Sequence, residues 1–134
     1  MKKFLAVLWL LPVVALALDS GEALFRDTIQ PTLKQQCLGC HGEANTFAKL
    51  DLRTRDAALK GGQRGAAIVA GDPDAGTLIA ALEFAGELKM PPGGDEKKLP
   101  AETVQAFREW VSAGAPFATA RAEHNWDYAE EDLW

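Results

Sequence analysis

The sequence contains little cysteine, histidine, methionine or positive charge. Among its 134 residues are two cysteines, two histidines and two methionines, so a disulfide framework is excluded. Its 14 Lys+Arg are outnumbered by 19 Asp+Glu, which gives a formal charge of −5, and a nucleic-acid-binding protein usually has the opposite balance. No internal repeat or low-complexity tract is present. A hydrophobic content of 48% with 25% charged residues is typical of a single small globular domain.

The first residues have the pattern of a secretory signal peptide. Lys2 and Lys3 provide a positive start, residues 4–18 are almost wholly apolar, and Ala15–Ala17 offers a small-residue cleavage site. We therefore predict a cleaved signal peptide over residues 1–17 and a periplasmic or otherwise exported mature protein. The alternative is an uncleaved membrane anchor, although the run is shorter than the ~20 residues that span a bilayer. Cleavage leaves 12 basic and 19 acidic residues, a formal charge of −7.

One short motif carries the chemistry. Cys37-Leu38-Gly39-Cys40-His41 has the C-x-x-C-H spacing of c-type haem attachment. Two thiols with two residues between them can add to the two vinyl groups of haem, and the histidine that follows is placed to bind the iron. The motif predicts that Cys37 and Cys40 attach one haem c covalently and that His41 is an axial iron ligand.

Three other interpretations of the motif compete with haem. A zinc site needs four ligands, and beyond the motif the chain offers only His124 as a further imidazole. A thioredoxin-like thiol pair is found in a βαβ context, which the sequence lacks. A structural disulfide between Cys37 and Cys40 leaves His41 without a role.

The second axial ligand is predicted to be Met90. Met1 is removed with the signal peptide, and Met90 lies in the sequence Lys-Met-Pro-Pro-Gly-Gly. Two prolines stiffen such a loop, and His/Met ligation is common in electron-transfer haem proteins. The alternatives are that Met90 only fills a gap in the core, that His124 is the ligand, or that the iron has an open position.

The rest of the chain predicts an all-α fold of about four short helices around one covalently bound haem. The predicted helices cover about 31–38, 55–60, 77–84 and 100–113; Pro31 suits a first helical turn, and the last helix has an apolar stripe. Asp72 and Pro73 are predicted to begin the third helix. No segment alternates strongly enough to predict a sheet.

Several other side chains have two interpretations each. Arg53, Arg55 and Arg64 can pair with haem propionates or be solvated. Trp110 can pack in the core between helices or against the porphyrin edge. The tail at 118–134 is rich in acidic and aromatic residues, and it is either a frayed end or a docking peptide.

The haem motif, the Met90 loop and several other segments of the sequence share a family pattern. In these segments the chain resembles the planctomycete-type cytochrome c domain, among the monohaem c-type cytochromes. The resemblance spans roughly residues 25–117 and rests on sequence blocks at 25–33, 37–42, 50–62, 67–74, 89–92 and 110–116. It implies a cytochrome c domain over 18–117 in which Cys37 and Cys40 bind haem, His41 is proximal and Met90 is distal. The chain departs from the family pattern at two places. The family more often has proline at the position of Ala70, and it more often has two glycines at the positions of Phe47 and Ala48.

These observations predict a carrier of single electrons rather than a stand-alone enzyme. Its partners are expected to be redox proteins with basic docking faces; no nucleic acid is expected, and a membrane only if the N-terminal segment is retained. One alternative is a haem-based ligand-binding or sensor module with a displaceable Met90. Another is an accessory redox subunit that docks through its C-terminal tail.

Overall fold

Four helices build the part of the chain that the structure, a computed structural model, describes, which is residues 20–117. Helix α1 covers 20–37, α2 Arg55–Lys60, α3 Thr77–Glu83 and α4 Ala101–Ser112, with short 3-10 turns at Phe47–Lys49 and Asp95–Lys97. Within this range no strand forms, and the extended backbone makes only isolated bridges. The predicted helical class is confirmed. The predicted signal peptide and the tail at 118–134 lie outside the described residues.

Helix α1 is longer than the sequence predicted. Residues 20–37 are helical throughout, so Pro31 lies inside the helix rather than at its start. Two turns, Phe25–Ile29 and Leu33–Cys37, are of the wider π type. In the first of them the Gln30 N–H donates to the carbonyl of Phe25, five residues back. We attribute the incorrect start to this wider spacing, because a proline that follows such a turn need not mark a helix end.

The shorter helices have the ends that the sequence predicted, with one exception. The Thr54 hydroxyl accepts a 3.2 Å hydrogen bond from the Ala57 N–H and so caps α2, and Gly61, with a φ of 72°, ends that helix. Asp72, however, does not cap α3. Its carboxylate accepts from the Asp74 N–H in a separate turn, and α3 begins at Thr77 after Gly76.

The core is centred on aromatic side chains from α1 and α4. Trp110, which has no exposed surface, lies with its ring centroid 5.9 Å from that of Phe25 and 6.0 Å from that of Phe107. Its indole N–H donates a 2.8 Å hydrogen bond to the Pro116 carbonyl. Phe117 packs on Phe25 with a centroid distance of 4.4 Å. Trp110 is therefore a core residue and does not line the cavity described below.

Candidate functional site

A single open cavity collects the residues that the motifs predicted. It holds about 1060 Å³ of space free of protein atoms, counted with its open mouth, and its walls are predominantly apolar. The end of α1 and the turn after it form one part of the wall, α3 another, and the loop around Met90 a third. Cys37, Cys40, His41 and Met90 all line this cavity. His124 lies outside the described residues.

The two cysteines reach the cavity because of the way α1 ends. The last π turn finishes at Cys37, and the Leu38 N–H closes it with a 2.9 Å hydrogen bond to the Leu33 carbonyl. The chain then turns tightly, so that the Cys37 carbonyl accepts from the N–H groups of Cys40 at 3.1 Å and His41 at 2.9 Å. This turn brings both thiols and the imidazole to one cavity wall. Neither cysteine forms a disulfide.

The Cys37 thiol is held in its neutral form. Burial raises its pKa to about 12, and the nearby Cys40 adds to the increase. Because a thiol reacts as the thiolate, burial makes Cys37 a poor free nucleophile at neutral pH.

His41 is the one buried polar residue in the described core. It is 9% exposed, and its Nδ1 has no hydrogen-bond partner among the described residues. Its backbone is fixed, since its carbonyl accepts a 2.9 Å hydrogen bond from the Leu52 N–H. An unpaired buried nitrogen costs about 1–3 kcal/mol. An imidazole placed in this way fits the role of a ligand to a group that is not part of the chain.

Met90 approaches the cavity from a loop tied to α3. Its N–H donates a 3.0 Å hydrogen bond to the Ala81 carbonyl, and Pro91 and Pro92 line the cavity beside it. The Met90–Pro91 peptide bond is cis. The Met90 side chain is half-buried, packs against the hydrophobic core and borders the cavity.

The three arginines that the sequence offered as partners of haem propionates differ in their contacts. Arg53 pairs with Asp51 at 2.9 Å and with Glu43 at 3.6 Å, and its hydrogen bonds hold the pKa of Asp51 below its usual value. Arg55 donates to the carbonyls of Gly114 and Ala115. Only Arg64 of the three lines the cavity. Sequence reasoning had no signal for this, because the difference depends on tertiary contacts.

Some lining residues were not singled out from the sequence. Phe47 is 60% exposed and borders the cavity; the departure from the resembled family pattern at this position was the available signal. Leu78 and Leu82 also line it, and their spacing on α3 had indicated only a shared apolar face. Leu78, Ile79 and Leu82 all belong to the packed core, but Ile79 does not line the cavity.

The residues present fit a covalently bound haem. Two thiols, one imidazole and one thioether border one apolar cavity, and the buried imidazole has a nitrogen that no described residue satisfies. A zinc site is not supported, because the described residues contain no group of three or more His, Cys, Asp or Glu side chains that could hold a metal ion. Fold and site together fit a helical protein that binds haem of the c type.

The family comparison agrees. Residues 37–94 match the family model described as Planctomycete cytochrome C, so this part of the chain is similar to a cytochrome c domain of that family. A cytochrome c domain implies covalently bound haem c. The match includes the C-x-x-C-H motif and the Met90 loop, whereas the blocks at 25–33 and 110–116 fall outside it. No curated protein and no solved structure matches the chain.

Over residues 20–117, none of the helices has both the length and the apolar content needed to cross a bilayer. The cytochrome c domain itself is of a kind found in exported proteins.

Proposed function

We propose that this protein is a periplasmic carrier of single electrons. The observation that carries the proposal is that Cys37, Cys40, His41 and Met90, which are 53 positions apart at their extremes, border one apolar cavity. In this proposal Cys37 and Cys40 would hold haem c through thioether bonds, and His41 and Met90 would ligate its iron. When bound, the haem iron supplies a reversible one-electron couple.

The chain contributes more than the four ligands. The apolar lining from α3 and from Leu50 and Leu52 keeps water from the iron, and burial of this kind is one of the factors that tune a haem potential. The hydrogen bond from the Met90 N–H to Ala81 keeps the thioether loop in place. The carboxyl-rich composition of the whole chain, with a formal charge of −5, would favour encounter with basic faces of redox partners.

The first test is whether haem is attached. The protein is expressed with its own N-terminal segment in a host that attaches haem c, and the intact mass of the exported product is measured. A mass increase of one haem, together with loss of residues 1–17, is expected. The double variant Cys37→Ser/Cys40→Ser should be exported without that increase. A wild-type product with the mass of the bare polypeptide would contradict the proposal.

The second test separates a carrier from a ligand-binding sensor. Carbon monoxide is added to the reduced protein and the visible spectrum is recorded. A six-coordinate carrier gives no change within minutes, whereas Met90→Ala should bind the gas at once. Leu88→Ala is the matched control, because Leu88 lines the same cavity without a thioether. Prompt binding by the wild type would favour the sensor.

The partner is the least constrained part of the proposal. Residues 118–134 carry five carboxylates and one arginine, which fits a segment that docks on a basic protein face. Removal of this segment should weaken binding to the redox partner and leave the haem potential unchanged. A shift in the potential on truncation would indicate that the segment acts on the haem site instead.

A further inference from the structure

We infer that Arg64 is the residue that receives the haem propionates and thereby raises the reduction potential. The inference rests on the proposed function, since it concerns the same cavity. Haem has an apolar macrocycle and two carboxylates at one edge. Burying an unpaired carboxylate is costly, so an apolar cavity should hold the macrocycle with the carboxylates at its mouth, beside a cation if one is present.

The charges around the cavity point to one residue. Arg64 is the only Lys, Arg, Asp or Glu among the cavity-lining residues that the structure describes. Of the remaining lining residues, only Cys37, Cys40 and His41 can titrate, and all three come from the end of α1 and the turn after it. Helix α3 and the Met90 loop contribute no titratable side chain to the wall. A carboxylate at the mouth therefore has one candidate counter-ion.

Arg64 is held at the mouth by a tight glycine turn. The N–H of Gly62 donates to the Gly65 carbonyl and the N–H of Gly65 donates back, both at 3.1 Å, so Gln63 and Arg64 occupy the tip. The Gln63 N–H fixes the tip to the Ala48 carbonyl at 2.8 Å. A Cβ at Gly62 would lie 2.4 Å from that same carbonyl oxygen, so this close approach requires glycine.

The guanidinium of Arg64 is also available. Each of the other four arginines within residues 20–117 is engaged: Arg26 with Asp27, Arg53 with Asp51, Arg55 with backbone carbonyls and Arg108 with Glu83. Arg64 is exposed and makes no hydrogen bond or ion pair with any described residue. Its planar fork suits a carboxylate better than an ammonium does, because it can donate two parallel hydrogen bonds.

The electrostatic consequence has a definite sign. A carboxylate near the iron stabilises the oxidised form, which carries one more positive charge than the reduced form. A guanidinium paired with that carboxylate offsets its charge and favours reduction. Arg64 also lowers the carboxylate pKa, so the carboxylate stays ionised and its protonation does not alter the potential near neutral pH.

The test is a spectroscopic titration of the reduction potential on purified, haem-loaded protein. At pH 7, Arg64→Gln should lower the equilibrium constant for reduction by about three- to tenfold, the size expected for one charge interaction at a partly screened site. Arg64→Lys should recover part of the loss. Lys60→Gln is the matched control, because it removes one positive charge from the nearby end of α2 but does not line the cavity; it should leave the constant within a factor of about two.

A second measurement uses the pH dependence. Between pH 5 and 8 the wild-type potential should be nearly constant, and that of Arg64→Gln should fall as pH rises, because its carboxylate now titrates within this range. Equal potentials for Arg64→Gln and Lys60→Gln would overturn the inference, as would a wild-type potential that falls across the range. Absence of attached haem in the wild type would instead overturn the proposed function. The wild-type profile decides the question even if a variant is not recovered.

Discussion

The two sides of this small domain differ in how their side chains find partners. On the side built by α1 and α4, Trp110, Phe25 and Phe107 pack on one another, and the indole N–H is satisfied by the Pro116 carbonyl. On the other side, apolar residues and the His41 ring border a cavity, and the His41 Nδ1 has no partner among the described residues. The difference indicates that the first side is stabilised by the chain itself. The second side is shaped to be completed by a cofactor.

The largest expected effect comes from breaking the packed side. Trp110→Ala removes a fully buried ring and its hydrogen bond, and should lower the free energy of unfolding by about 3–5 kcal/mol. Urea unfolding followed by circular dichroism measures this. Phe47→Ala, the matched aromatic truncation at a position that is 60% exposed and on the cavity side, should change it by no more than about 0.5 kcal/mol. Similar losses of stability for the two variants would contradict the conclusion that the two sides differ in how they are stabilised.

A smaller loss of stability is expected when the hydrogen bonds to the segment after α4 are removed. Arg55 donates hydrogen bonds of 3.1 Å to the Ala115 carbonyl and 2.9 Å to the Gly114 carbonyl. Arg55→Gln should therefore destabilise the protein by about 1.5–3 kcal/mol, the range for hydrogen bonds to charged groups. The measurement is again chemical denaturation. Arg26→Gln is the control, because the Arg26 side chain is 63% exposed, and it should leave the free energy of unfolding nearly unchanged. An equal loss for the two variants would mean that the hydrogen bonds of Arg55 do not contribute specifically to stability.

The sequence predicted the parts that depend on local patterns. The apolar stripe of α4, the Thr54 cap and the C-x-x-C-H spacing are local, and the structure has α2, α4 and the Thr54 cap where they were expected. The sequence could not predict which side chains line the cavity, because that depends on which elements pack together. Arg64 lines the cavity and Arg53 and Arg55 do not. The start of α1 was wrong because a π turn accommodates Pro31, and periodicity alone does not reveal a π turn. Haem ligation by His41 and Met90 stays a prediction.

On the cavity side, one residue that departs from the resembled family pattern, Ala48, has a backbone conformation that glycine adopts more easily. Ala48 has a φ of 55°, in the left-handed region where a Cβ is unfavourable. Ala48→Gly removes that penalty and should stabilise the protein by about 1 kcal/mol. Ala57→Gly, inside α2, should destabilise it by about the same amount. Thermal unfolding of the two variants gives shifts of opposite sign, and two shifts of the same sign would mean that the left-handed backbone at Ala48 carries no penalty.

The smallest expected effect concerns the ion pair close to the cavity wall. Arg53 holds the pKa of Asp51 below its usual value, chiefly through side-chain hydrogen bonds. A carboxyl with a lowered folded-state pKa stabilises the fold above its unfolded pKa of about 3.9, and that contribution is lost as pH falls through the folded pKa. The pair is partly exposed, with 30% and 25% of the two side chains accessible, so its contribution at pH 7 should be at most about 1 kcal/mol.

The measurement for this ion pair is the free energy of unfolding of the wild type and of Asp51→Asn between pH 7 and pH 3. The wild type should be the more stable at neutral pH, and the difference should shrink as the carboxyl is protonated. Asp95→Asn provides the control, because the Asp95 carboxylate has no partner among residues 20–117. A wild-type advantage that is the same at both ends of the range would mean that Asp51 acts through its shape rather than its charge. The cavity side would then owe its stability near Arg53 to packing, as the aromatic side does.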